Sequence, residues 1–142
     1  MGLVYAEIEL LNEADLILSQ HGYLPENEIR RTVTKVLVDS GALDLVITEE
    51  VQARLALRVI GKRTANLADE TELELDIVGP VEVRFQNRST TVRALVLPGA
   101  EEVLLGAIPM EGLDVMVDPA RERLIVNPKS PDQAMSKLKR VA

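Results

Sequence analysis

The sequence predicts a small all-β protein, a sandwich or closed barrel with one or two short helices. Three observations predict it. Short runs of β-branched and aliphatic residues recur along the chain, as in Thr32-Val33-Thr34-Lys35-Val36-Leu37-Val38. Apolar and polar residues alternate in Glu72-Leu73-Glu74-Leu75-Asp76-Ile77 and in Val81-Glu82-Val83-Arg84-Phe85, the period of a half-buried strand. Turn signals separate the runs: Asp39-Ser40-Gly41, Gly79-Pro80, Asn87–Ser89, Pro98-Gly99 and Asp118-Pro119.

Taken in order, residues 3–11 alternate loosely and read as a strand. Residues 12–30 are polar, broken by Asn12, Gly22 and Pro25, and read as a long excursion with room for a helical turn at Ala14–Gln20. The strand 32–38 runs into Asp39-Ser40-Gly41-Ala42, and a short apolar strand follows from Leu43 to Ile47. Thr48 has the character of an N-cap, with Glu49 and Glu50 in the first turn, so 48–55 reads as a short helix. Strands fill 57–97, with Gly79-Pro80 bending the chain and a turn at Asn87–Ser89. Val103-Leu104-Leu105 is closed by Gly106, and Ala107–Glu111 reads as a brief helix or turn. Residues 113–117 and 123–127 read as a hairpin. The 142 residues suit one domain, 1–128, followed by a polar basic C-terminal tail, 129–142, with Lys129, Lys137, Lys139 and Arg140.

Composition excludes several chemistries. There is no Cys, hence no disulfide framework, thiolate nucleophile or zinc ribbon. A single His, His21, leaves no multi-histidine metal site and reads as an exposed spectator. The expectation is no metal and no cofactor. The net charge of −7 opposes the phosphate attraction on which nucleic-acid binding depends. No apolar run approaches a membrane span. Residues 1–10 contain two Glu and no basic stretch, unlike a secretion signal, so a cytoplasmic protein is expected. Carboxylates remain for acid–base work, with 23 Asp and Glu in all. Among weaker candidates, Gly61-Lys62-Arg63-Thr64 lacks the upstream Gly and the hydroxyl of a phosphate loop. Asp114 and Asp118 read as turn caps.

One motif carries chemistry. Asp39-Ser40-Gly41-Ala42 directly follows an apolar strand and precedes another, and Leu104-Leu105-Gly106 lies further along. A turn alone would explain the tripeptide. In this context the pattern resembles the retropepsin-like aspartic proteases, and within them an uncharacterised prokaryotic branch. The resemblance covers roughly residues 3–127. It implies a small closed barrel of the retropepsin-like acid protease type. It also implies that Leu104, Leu105 and Gly106 pack behind the active-site loop and that Val59–Val83 holds a flap hairpin. Asn66-Leu67-Ala68-Asp69-Glu70 falls where relatives show Ala-Asp-Gly or Ala-Asn-Gly, with Glu70 in the glycine position. Ala42, Leu67, Ala68, Asp69 and Glu70 are then the expected substrate-binding residues.

The chemistry that the resemblance implies needs two carboxylates facing one water, one ionised and one protonated, sharing a proton because both cannot ionise at that distance. This chain has one Asp-Ser-Gly. A dyad therefore requires a second copy, with Asp39 facing its mate across a two-fold axis. Ser40 is expected to bond across that axis and Gly41 to let the backbone turn tightly. Ala42 carries no hydroxyl to favour the charged carboxylate, so activity is expected at weakly acidic to near-neutral pH. Two functions follow: an aspartic endopeptidase acting on peptide or protein substrates as a homodimer, or a catalytically weak or inactive dimeric peptide-binding module of the same fold.

Overall fold

The computed structural model describes residues 2–138. Six strands close a mixed barrel. β1 (Val4–Asn12) pairs antiparallel with β2 (Arg31–Val38), from Val4 opposite Val38 to Leu11 opposite Arg31. β2 runs parallel to β7 (Val103–Leu105), and β7 antiparallel to β3 (Leu45–Ile47). β3 runs parallel to β6 (Arg88–Val96), and β6 antiparallel to β5 (Glu72–Phe85). The second half of β5 returns to β1, with Val81 opposite Asn12 and Arg84 opposite Glu9, and closes the ring. β4 (Val59–Asn66) joins β5 alone and stands outside the closure.

On the edge away from β6, β5 therefore serves two neighbours. Residues 72–78 carry β4 and residues 81–84 carry β1. The strand does not end at Gly79-Pro80; it shifts register there and continues. Gly79 sits at φ +135, a region closed to L side chains, and a Cβ would lie 3.2 Å from the Val81 nitrogen. The turn before β6 is tighter than the sequence predicts. Phe85 pairs with Arg88, leaving Gln86 and Asn87 as a two-residue loop, with Gln86 at φ +50.

The barrel interior is aliphatic, as the composition demands. Ile8, Leu10, Val36, Leu45, Ile47 and Leu105 are among its fully buried side chains. The polar excursion 12–30 folds over a second small cluster, Leu11, Leu16 and Ile29. Within it α1 (Glu13–Gln20) is capped by Asn12, whose side-chain oxygen accepts from the Asp15 N–H at 3.1 Å. The Asn12 amide also donates to the Leu55 carbonyl at 2.9 Å, tying α1 to α2 (Glu49–Leu55). Thr48 caps α2 as expected, accepting from the Val51 N–H at 3.1 Å. A third helix, α3 (Ala107–Leu113), runs longer than the brief turn expected.

β8 (Val115–Asp118) and β9 (Arg123–Val126) form the expected hairpin as a separate two-stranded sheet. Val115, Val117, Leu124 and Val126 turn toward the barrel core. Asp118 caps the turn, accepting from the Ala120 N–H at 3.1 Å. Asp114, by contrast, is a hub. Its carboxylate accepts from the Asn127 amide at 3.0 Å, the Ser130 hydroxyl at 2.6 Å and the Met135 N–H at 2.9 Å. Behind it lies Arg88, its side chain wholly buried, donating to the Ser130 carbonyl. Residues 127–135 are thus tied to the barrel, and Ser130 is buried. Lys139 and Arg140 lie outside the described residues.

These hydrogen bonds, the Ser130 hydroxyl first, pull the Asp114 pKa from its ordinary 3.8 to about 2. A depressed carboxylate pKa contributes stability above its unfolded value, and that stability is lost as pH falls toward the folded value. The acid limb of the stability profile is therefore expected to steepen between about pH 4 and pH 2. Asp114→Asn should lower stability at neutral pH and flatten this limb, read by denaturant unfolding at several pH values.

Candidate active site

The catalytic candidate emerges where three strands meet. β2 ends at Val38, and the next N–H, that of Asp39, still donates to the Leu105 carbonyl of β7 at 3.0 Å. The chain then turns. The Ala42 N–H donates back to the Asp39 carbonyl at 3.1 Å, and the Gly41 N–H donates to Asp39 Oδ1 at 2.9 Å. One carboxylate oxygen is thereby oriented by the backbone two residues on. A Cβ on Gly41 would come within 3.2 Å of that same oxygen. Asp39 is half-buried, and Ser40 and Gly41 are exposed.

Residues 104–108 lock this turn from behind. The Ala107 and Ile108 N–H groups donate to the Ala42 and Leu43 carbonyls, both at 2.8 Å, so the first turn of α3 finds partners in the loop. Gly106 makes this approach possible. A Cβ there would lie 2.8 Å from the Ala42 oxygen and closer still to that of Asp44. Leu105 is fully buried and Leu104 half-buried. The strand expected to begin at Leu43 begins at Leu45, because Leu43 and Asp44 belong to the locked turn.

The hairpin β4–β5 carries Leu67, Ala68, Asp69 and Glu70 at its exposed tip. The tip closes through Glu70 N–H to the Leu67 carbonyl and Leu67 N–H to the Thr71 carbonyl, both 2.9 Å. Glu70 occupies the left-handed region at φ +67, where a glycine is favoured. Asp69 compensates by accepting from both the N–H and the hydroxyl of Thr71, bonds that hold its pKa below the usual carboxylate value. The departure from glycine is thus accommodated without losing the turn.

The bonds of the tip are internal to the hairpin. What joins the hairpin to the Asp39 loop is an ion pair below it, Arg63 of β4 to Asp44 at 3.2 Å. The pair borders a cavity of about 290 Å³ with Ile77 and Ile108. Nothing in the sequence marks Arg63 or Asp44 as part of the Asp39 site; Arg63 figures there only in the rejected phosphate-loop pattern. They stand nineteen residues apart on unrelated elements, and no local pattern links them. Their pairing matters for the acid chemistry: the carboxylate nearest to Asp39 in sequence is committed to Arg63. Ser40 borders a second cavity, of about 360 Å³, with Met110, Glu111, Asp114 and Val115. His21 is exposed at the end of α1, remote in sequence from the loop.

Gly106→Ala is expected to destabilise the fold by about 3 kcal/mol or more, since rigid carbonyls occupy the space its Cβ needs. Thermal unfolding reads this directly. Glu70→Gly removes left-handed strain and adds chain entropy to the unfolded state; the balance should favour the folded form by about 0.5–1 kcal/mol. Urea unfolding is the measurement.

Comparison with known proteins agrees with this geometry. No curated protein matches the chain. A family model described as aspartyl protease matches residues 27–108, more than half of the sequence and the whole span from before β2 into α3. That span contains the Asp39 turn, the hairpin and the Gly106 lock, and the chain belongs to the aspartyl protease family, in its retropepsin-like clan.

Proposed function

We propose that the protein is an aspartic endopeptidase whose active site forms between two copies of this chain. The observation that carries the reading is the Asp39 turn, with its carboxylate oriented by the Gly41 N–H and its backbone fixed by Leu105 and Gly106. Such an arrangement presents one carboxylate on a rigid base. Hydrolysis by carboxylates needs two, in opposite protonation states. In the dimer, the ionised Asp39 takes a proton from water as the oxygen attacks the scissile carbonyl. The protonated Asp39 of the mate donates to the carbonyl oxygen. The tetrahedral intermediate then collapses, the C–N bond breaks, and the amine leaves with a proton returned from the dyad. The pair titrates as a unit, not as two independent acids.

Ser40, exposed beside Asp39, bonds across the axis and stiffens the two turns. Ala42 and the tip residues Leu67, Ala68, Asp69 and Glu70 bound the path of an extended peptide, which lies between the β4–β5 hairpin and the Asp39 floor as an added strand. Leu104, Leu105 and Gly106 support the floor. No cofactor takes part. The absence of cysteine agrees with work in the cytoplasm, and among the described residues no helix is long and apolar enough to cross a membrane. The net charge of −7 argues against nucleic acid as a partner.

The test is cleavage of a diverse peptide mixture across roughly pH 4 to 8, the range in which a carboxylate pair can serve, read by mass spectrometry. Asp39→Asn runs in parallel. Cuts should appear in the weakly acidic to neutral part of that range and vanish in the variant, while its folded circular dichroism is kept. A folded dimer that makes no cuts would instead support the non-catalytic peptide-binding module.

A further inference from the structure

We propose that the cleft between β8 and the C-terminal strap 127–137 binds a small organic anion with an aliphatic body, a medium-chain carboxylate. The proposal goes beyond the endopeptidase reading and does not depend on it. The cleft has a volume of about 580 Å³, larger than either cavity beside the Asp39 turn and within the range of small-ligand sites. Its apolar surface comes from Met116 of β8 and from Pro128 and Met135 of the strap. Along β8 the side chains alternate. Val115 and Val117 pack against the barrel core, which leaves Met116 on the outer face, 44% exposed. On the strap, Met135 is 61% exposed. Unbranched thioether side chains fit themselves to irregular apolar bodies, and here two of them line one cleft while open to solvent.

The cleft is set before anything binds. The Asp114 carboxylate accepts from the Ser130 hydroxyl at 2.6 Å and from the Met135 N–H at 2.9 Å. At the β5–β6 turn, the Asn87 amide donates to the Pro131 carbonyl at 2.9 Å, and buried Arg88 donates to the Ser130 carbonyl. A strap fixed in this way loses little freedom when a ligand arrives, which favours binding.

Charge selects the head group. Lys129 and Lys137 both line the cleft, and both are exposed. Neither takes part in an ion pair among the described residues. The one carboxylate of the lining, Asp114, is already held by three hydrogen-bond donors, with the Arg88 guanidinium 3.9 Å away. Asp132 is exposed on the strap but lies outside the lining. On a chain of net charge −7, two unpaired ammonium groups beside apolar surface favour an anion. The main chain disfavours an extended peptide. The N–H groups of Lys129, Ser130 and Met135 are bonded to Asn127 Oδ1, the Asn127 carbonyl and Asp114, so they are not available to a peptide backbone. A carboxylate on an aliphatic chain needs only the two ammonium groups and the thioether walls.

NMR of the intact chain with isotope-labelled methionine methyl groups tests this, with decanoate added below its micellar concentration. The Met116 and Met135 signals should shift together and saturate, while that of Met110, 8% exposed in the core, stays in place. Decyltrimethylammonium, with the same chain length and the opposite charge, should bind at least about 10-fold more weakly. The double variant Lys129→Glu/Lys137→Glu should lose about 10-fold or more in decanoate affinity, since two attractive contacts become repulsive. Met116→Gln, which keeps the side-chain length but places an amide in the apolar wall, should weaken binding several-fold. Shifts that do not saturate, equal binding of the cationic amphiphile, or unchanged affinity in a folded lysine double variant overturns the inference. None of these readouts involves peptide cleavage, so the endopeptidase reading stands or falls separately.

Discussion

Everything about the candidate site depends on one backbone approach that tolerates no side chain. Gly106 lets the chain that leaves β7 lie directly against the carbonyls of Ala42 and Asp44. Two further bonds, from Ala107 and Ile108, then convert the opening N–H groups of α3 into clamps on the Asp39 turn. β7 is three residues long, yet it is parallel to β2 on one side and antiparallel to β3 on the other. The turn that carries Asp39 spans these two strands and has nowhere to move. On the endopeptidase reading, rigidity of this kind costs nothing at the moment of reaction, because the Asp39 oxygen is already placed.

The same contact organises the neighbouring surfaces. Because α3 starts on the Asp39 turn, its far end falls beside Ser40 and sets the groove bounded by Glu111 and Asp114. The electrostatics divide along similar lines. Asp44 is engaged by Arg63 and Asp114 by three hydrogen-bond donors. Asp39 forms no ion pair among the described residues, and its Oδ1 accepts from the Gly41 N–H.

Much of this was legible in the sequence, and the limits have physical causes. The strands could be read because period-two alternation is local. The α2 cap could be read because Thr48 and the acids after it are contiguous. The Asp39 motif and the Leu104-Leu105-Gly106 element could be read as a pair, and the structure packs them together. The early start expected for β3 failed because the carbonyls of residues 42 and 43 serve α3 and not a sheet ladder. The Arg63–Asp44 pair and the Asp114 hub were invisible because each joins residues distant in sequence through three-dimensional closure. Arg88 gave no sign of its burial, since a charged residue after a turn reads as solvent-facing. Residues 128–135 looked like loose polar chain for the same reason, although the Asp114 carboxylate and the buried Arg88 bind them down.

The divided strand β5 has a consequence for how the molecule breathes. Pairing with β1 uses residues 81–84, whereas the β4–β5 hairpin hangs from residues 72–78. The register shift at Gly79 lies between the two. Lifting the part of the hairpin beyond Asp76 therefore breaks no pairing of the closed ring; in the single chain it severs the exposed Arg63–Asp44 bridge, which as a solvated pair holds only weakly. Opening of the hairpin tip and loss of the fold are separate events with separate energies. Selection can then redraw the tip while the barrel beneath keeps its stability.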